Sequence, residues 1–342
     1  MNGQATSGTV GVLDEFQTEL IAAWQRLPNK GFFLVLLAAW LVLFQFLGNS
    51  LLGVIHSPSL MAWMWESYTS PNEIAENDRH GVFIPFLVVG LLWWKRRDLL
   101  NGKLEVWLPA LAMLLSAIAL HLLGYLLQEP HFSVVAFFAG IYGLMGLAWG
   151  WGWLKKSFFP FFLCAFAVPL GNHSDIVTTR LQLLVCWLVE HFSNLVLGIE
   201  VTRNGTQLSN PSGGYQYDVV AACSGIRSLV AIFLLGTVYG FLTFRSSWKR
   251  VFFMALAFPF AVLGNFIRLM CIVIAAQIGG QEAGQWVHNN TYCSLIPYVP
   301  AIFGLLWIGN LMEKWYGMDR PFEPGPRPSG NAAAGAPQEM PS

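Results

Sequence analysis

Nine apolar runs, several of them twenty residues or longer, dominate the chain, at 31–55, 81–95, 106–127, 132–153, 158–171, 176–198, 219–244, 250–277 and 294–312. A helix needs about 20 apolar residues to cross the hydrocarbon of a bilayer. Runs of this kind cannot be covered by the polar surface available, because only 11% of the 342 residues are charged. Soluble domains carry about a quarter. Fifteen Trp and 26 Phe suit helices bathed in lipid and anchored at its interfaces. The expected fold is therefore an all-α polytopic membrane protein, a bundle of about eight transmembrane helices. The runs 81–95 and 158–171 are short for a span.

Formal net charge is zero, which gives a nucleic-acid partner no electrostatic support. The Lys/Arg bias orients the bundle. Arg26, Lys30, Lys95-Arg96-Arg97, Lys155-Lys156, Arg245, Lys249-Arg250, Lys314 and Arg320 are expected to be cytoplasmic. The loops around 56–80, 128–131 and 278–293 then face outward. The first apolar run is long enough to stay in the membrane, so no cleavable signal peptide is expected. Residues 1–30 read as a cytoplasmic segment, 31–312 as the membrane domain and 313–342 as a cytoplasmic tail. The Pro-, Gly-, Ala- and Ser-rich end from Pro321 reads as disordered.

Charge bias places one crossing too many between Lys156 and Arg245. One of 158–171 and 176–198 therefore does not cross. Asp175, Thr179, Gln182, Cys186, Glu190 and Ser193 form a polar stripe at helical spacing. That favours 176–198 lying along the outer interface. The alternative packs the stripe inside the bundle and makes 158–171 re-entrant. Residues 199–218 differ in kind. Ile199–Arg203 alternates, Asn204-Gly205 is a hairpin signal, and Tyr215–Val219 is a third extended run. This small extracytoplasmic β-element feeds the next apolar helix like a lip.

The chemistry gathers after that lip. Ala222-Cys223-Ser224-Gly225-Ile226-Arg227 sets a thiol at the start of an apolar segment, with Arg227 four residues on. A thiol attacks as thiolate, and a helix N-terminus or a fixed cation lowers its pKa. Ser224 and Gly225 are small enough to admit a substrate backbone. An interfacial Cys beside a snorkelling Arg is the bland alternative. In Asn265-Phe266-Ile267-Arg268 a second arginine stands about 27 Å along a helix from Arg250, level with Cys223. Asn265 can orient its guanidinium, an always-charged donor suited to an oxyanion. A structural pairing with a buried carboxylate such as Glu190 is the alternative. His288 lies in the outward loop after that helix, placed to protonate a leaving amine or pair with the thiolate. A polar loop residue is the competing reading. His80 opens the second span on the same side, where it contacts substrate or headgroups or simply starts a helix.

The remaining histidines, His56, His121, His131, His173 and His191, form no metal-ligand spacing, and no cofactor is implied. Cys164, Cys186, Cys271 and Cys293 read as buried thiols. Asn204-Gly205-Thr206 and Asn289-Asn290-Thr291 match the glycan-acceptor pattern, which recurs by chance.

Ala222–Arg227, Asn265–Arg268 and the later His288 resemble, in order and spacing, the signature blocks of the exosortase/archaeosortase family. His80-Gly81-Val82-Phe83-Ile84-Pro85, Val168-Pro169-Leu170 and Gly198…Val201…Arg203…Gly205 are similar to further blocks. The resemblance covers about residues 31–312. It implies a multi-pass thiol peptidase or transpeptidase of the bacterial inner membrane, with its site on the periplasmic face. Its substrates would be exported proteins ending in a Pro-Glu-Pro-like motif, a transmembrane helix and a basic tail. By that pattern Cys223 is the nucleophile, Arg268 the second essential group and His288 the third. A His at the third position is similar to the bacterial branch, where archaeal relatives carry Arg. The family's usual Gly shortly after this His is replaced by Asn289-Asn290-Thr291-Tyr292-Cys293. A polytopic transporter and a non-catalytic scaffold for surface-polymer export are the competing classes. The oligomeric state is not readable.

Overall fold

The computed structural model describes residues 7–51, 57–70, 78–170, 175–218 and 226–315. Its helices are α1 (Ser7–Arg26), α2 (Lys30–Leu47), α3 (Leu60–Thr69), α4 (Ile84–Trp94), α5 (Arg96–Leu100), α6 (Ala110–Leu127), α7 (Pro130–Trp149), α8 (Trp151–Phe162), α9 (Asp175–Phe192), α10 (Ile226–Thr243), α11 (Ser247–Asn289), α12 (Thr291–Leu295) and α13 (Tyr298–Trp315). Among the described residues, α2, α6, α7 and α11 are long and apolar enough to cross a membrane. Two shorter apolar helices, Arg79–Trp94 and Leu229–Thr243, accompany them. The architecture is that of a helical membrane protein. The expected tail from Pro321, His56 and His173 lie outside the described residues.

The first half is an α2/α6/α7 core. Gln128 in the left-handed region (φ 56°) and the bond from Glu129 N–H to Gly124 C=O (2.9 Å) reverse the chain between α6 and α7. Trp40 lies flat on Gly140, where no side chain fits, and its Nε1 donates to Phe137 C=O at 3.1 Å. The run 132–153 does not continue as one helix. Gly150 (φ 91°, ψ 174°) breaks it into α7 and α8, a conformation open only to glycine. α8 then tightens into a 3-10 turn, Leu163–Ala167.

The second half is built on α11, against which α10 and α13 pack around Ile232, Phe253, Ala257, Ala301 and Leu305. α4, α8 and the 3-10 turn join the halves through Ile84, Val88, Phe159, Leu163 and Ala167.

The basic residues collect at one end. Asn29 Nδ2 donates to Ala148 C=O, Lys95 Nζ to Lys156 C=O and Arg250 Nε to Phe244 C=O. α1 lies along this end, its Glu19 gripped by Arg96 and Arg97. Bonds from Arg97 and Arg96 hold the Glu19 carboxyl below the usual carboxylate range.

The opposite end carries a three-stranded antiparallel sheet, order β1 (Thr202–Asn204), β2 (Gln207–Ser209), β3 (Gln216–Asp218). The hairpin expected from Asn204-Gly205 is present, displaced by one residue: Asn204 pairs with Gln207, and the loop is Gly205-Thr206. Gly205, at φ 63°, takes the first loop position, where a type II′ turn needs a positive φ. On α9, Gln182 and Cys186 are buried and Glu190 is half-buried, while Thr179, Leu184 and Trp187 are exposed, so the middle of this helix's polar stripe turns toward the protein. Its partners are the sheet and α11, in a core of Val185, Val189, Val201, Leu208, Tyr217 and Leu269.

Candidate active site

The α10–α11 hairpin sets the level of each candidate group. Its two helices meet one for one. A Cβ on Gly236 would stand 3.1 Å from that of Ala257, and one on Gly240 would stand 3.6 Å from the Phe253 ring. Carried outward from Gly236 to Ile226, and from Ala257 to Ile267, the same register puts the first turn of α10 opposite Arg268. Arg227 lies in that first turn. Cys223, Ser224 and Gly225 lie outside the described residues, as does the Arg227 side chain. β3 ends at Asp218 on one side of them and α10 begins at Ile226 on the other.

Arg268 is half-buried, with its Nε shielded from solvent. Asn265, one turn earlier, is 4% exposed and accepts from the Tyr298 hydroxyl at 3.5 Å. Gly264 allows this, because the Tyr298 ring occupies the place of a Cβ there. Asn265 is thus positioned by α13. Glu190 serves another end: its carboxylate takes the backbone N–H and the Nε of Arg203, both at 3.2 Å, and ties β1 to α9. Charged groups at membrane depth are costly, and they face protein rather than lipid.

His288 is not on a loop. α11 runs through to Asn289, with one break at Gly280 (φ 74°, ψ −170°). Gln281 to Asn289 is rich in residues with fair helix propensity, although too polar to extend a span. The arm after the break folds back on its own helix. A Cβ on Gly284 would lie 3.0 Å from that of Ala276 and would collide with the Tyr217 hydroxyl. Such closeness is impossible in a straight helix, where eight residues advance about 12 Å. Val287 packs on the Leu269–Ala276 core, and Cys293 comes near enough to Cys271 for the two thiols to interact electrostatically. His288 lies on this folded-back arm, one turn beyond Gly284. Its Nδ1 lies 2.9 Å from Asn289 Oδ1.

The sheet holds the fold-back. Gln216 N–H donates to Gln281 Oε1 at 2.9 Å, Gln281 Nε2 returns a bond to Gln216 C=O at 3.0 Å, and the Tyr217 hydroxyl donates to Gln281 C=O at 2.7 Å. Burial raises the pKa of both Tyr215 and Tyr217, so these phenols stay neutral. None of Gly280, Gln281 and Tyr217 stood out as a site residue in sequence. The Gly279-Gly280 pair was the available signal, and it reads there only as the end of a span.

His80 sits on a separate wall. It lies in a 3-10 turn, Arg79–Val82, leading into α4. The Tyr68 ring covers Gly81, the Tyr68 hydroxyl donates to Ala167 C=O, and Asp78 accepts from Leu170 N–H at 3.1 Å. These bonds fix the turn at the end of the bundle away from Lys95. No group of three or more His, Cys, Asp or Glu side chains among the described residues is placed to hold a metal ion.

Arg268 and Asn265 thus stand one turn apart on α11, the arm carrying His288 folds back on the same helix, and the sheet is bonded to that arm. No curated protein and no solved structure matches the chain. The sequence profile described as "transmembrane exosortase" matches residues 65–307, from α3 to α13 and well over half of the chain. The chain belongs to the transmembrane exosortase family.

Proposed function

We propose that this protein is a membrane-embedded cysteine peptidase or transpeptidase. It cleaves exported proteins that carry a C-terminal sorting signal of the Pro-Glu-Pro type followed by an apolar helix and basic residues. The observation that supports the reading is the fold-back at Gly280, which lays the arm carrying His288 against Ala276 on the helix that bears Arg268. Family membership supports the same assignment.

In this reading the substrate helix docks beside the bundle with its motif under the sheet, on the outer face of the inner membrane. The Cys223 thiolate bonds to the scissile carbonyl carbon, and Arg268 stabilises the oxyanion. Asn265 orients Arg268, and Arg227 supports the thiolate. Ser224 and Gly225 leave room for the substrate backbone. The C–N bond breaks as His288 gives its proton to the leaving amine. Water or an acceptor amine then attacks the thioester and frees Cys223. His80 contacts substrate or lipid headgroups from the facing wall. No cofactor enters these steps.

The test is processing of a tagged cargo in membranes holding equal amounts of wild type or Cys223→Ala. Wild type should shorten the cargo, and the variant should leave it full length. Equal shortening by both would remove the thiol from the chemistry and restore the transporter reading.

A further inference from the structure

A hollow of about 200 Å3 opens at the basic end between α4, α5, α8, α10 and α11. Its charged lining is Lys95, Lys155, Lys156 and Arg250, facing the single carboxylate of Asp98. Among the described residues, none of the four cations is within ion-pair distance of a carboxylate. They are held instead by neutral groups. Lys95 Nζ donates to Lys156 C=O at 3.3 Å, and Lys156 Nζ to Asp98 C=O. Lys155 lies over the Trp151 ring at 5.4 Å and Arg250 over the Phe241 ring at 4.8 Å. Burial lowers the pKa of Lys95, which Asp98 opposes and Arg250 reinforces. Four cations facing one carboxylate, none of them ion-paired among the described residues, make an anion site.

The second observation names the kind of anion. Phe158 lines this hollow and also a neighbouring apolar one of about 250 Å3, bounded by Val135, Phe138, Ala139, Phe162 and Val168. From Lys155 to Val168 the chain advances about 20 Å at helical rise. One leaflet of hydrocarbon is about 15 Å deep, half of the whole core. A cationic hollow at headgroup level thus continues into an apolar one as deep as a leaflet. Free phosphate needs only the first.

We propose that the protein binds one anionic phospholipid here, its phosphate among Lys95, Lys155, Lys156 and Arg250 and one acyl chain against Phe158. Basic pockets between membrane helices favour anionic headgroups. The site is remote from Arg268 and does not depend on the peptidase reading.

The test uses the delipidated full-length protein in detergent, with bound lipid counted by native mass spectrometry. Dioleoyl phosphatidylglycerol should be retained at least about fivefold over dioleoyl phosphatidylcholine. Lys155→Gln should reduce its retention by about fivefold, and Lys155→Gln with Arg250→Gln by more. Val135→Trp, which fills the apolar hollow and leaves the cations in place, should also reduce it. Helical circular dichroism checks folding. If the double variant misfolds, Lys155→Gln and Val135→Trp still decide. Equal retention of the two lipids would overturn the proposal, as would wild-type retention by Lys155→Gln. So would full displacement of phosphatidylglycerol by millimolar inorganic phosphate, or an unchanged Val135→Trp, either of which would make this a free-anion site.

Discussion

Two glycine corners with nearly the same backbone do opposite jobs. Gly150 (φ 91°, ψ 174°) turns α7 into α8, and Gly280 (φ 74°, ψ −170°) folds the end of α11 back on itself. The first corner is built into the core. The Trp149 ring lies tilted against those of Phe33 and Trp153, each centroid 4.5 Å away, and its Nε1 donates to Pro28 C=O at 2.9 Å. Trp107 N–H donates to Leu147 C=O at 3.2 Å, and a Cβ on Gly150 would lie 3.1 Å from Glu105 C=O. The second corner has open space about it: nothing stands within 4 Å of a Cβ there. It is fastened by hydrogen bonds in exposed surroundings, the Gln281 side-chain amide with the Gln216 backbone and Asn210 Nδ2 with Gln277 Oε1. One device makes a rigid elbow, and the other lays the arm carrying His288 back along α11.

The sharpest way to break the comparison is to add a methyl at each corner. Gly150→Ala incurs backbone strain of about 1–3 kcal/mol and then crowds Glu105 as well. A destabilisation on the order of 3 kcal/mol is expected, with the protein depleted from membranes several-fold. Melting in detergent and membrane accumulation measure it. An unchanged melting temperature would show that the corner is not held by packing.

Gly280→Ala carries the strain alone, and the arm beyond it can relax into open space. Stability should fall by about 1–2 kcal/mol, with near-normal accumulation. Cargo processing should fall far more, on the order of 10–100-fold, because catalytic groups tolerate little misplacement. Processing that tracks accumulation would mean that the fold-back does not position His288.

These corners show what the sequence could reveal. The hairpin at Gly205 was legible because a strand has period two and a two-residue loop demands glycine. The four long apolar helices α2, α6, α7 and α11 were legible from hydropathy. The corner at Gly150 was not, because Trp149 and Trp151 on either side keep the run apolar and a bilayer-length count passes through it. The arm after Gly280 was missed for the opposite reason. Gln281, Glu282, Gln285 and His288 are too polar for a span, and reading for spans turned helix into loop. Which way the polar stripe of α9 turns was undecidable from spacing, since water satisfies Glu190 as well as Arg203 of β1 does. The motif at Asn265–Arg268 was visible, while its support by Tyr298 depends on α13 returning antiparallel. No local pattern encodes that.

Tyr217→Phe is the mildest test of the same contrast. It removes one fastening of the Gly280 corner, the bond to Gln281 C=O, and leaves the Gln216–Gln281 pair intact. A loss of about 1 kcal/mol is expected at neutral pH. The pH dependence identifies the cause. Burial raises the Tyr217 pKa above its ordinary 10.0. The unfolded chain therefore ionises first, and the stability that the neutral phenol contributes is complete below about pH 10. It drains away as pH rises from there through the folded value. Wild type and Tyr217→Phe should differ most below pH 10 and converge above it, while Tyr68 and Tyr215, also raised, lower both curves together. Melting temperatures in detergent between pH 8 and 11 would show this. No gap at any pH would mean that ring packing against Gly284, which Phe keeps, and not the hydroxyl, ties the sheet to the arm. The corner would then resemble the packed elbow at Gly150 more than its exposed amides suggest.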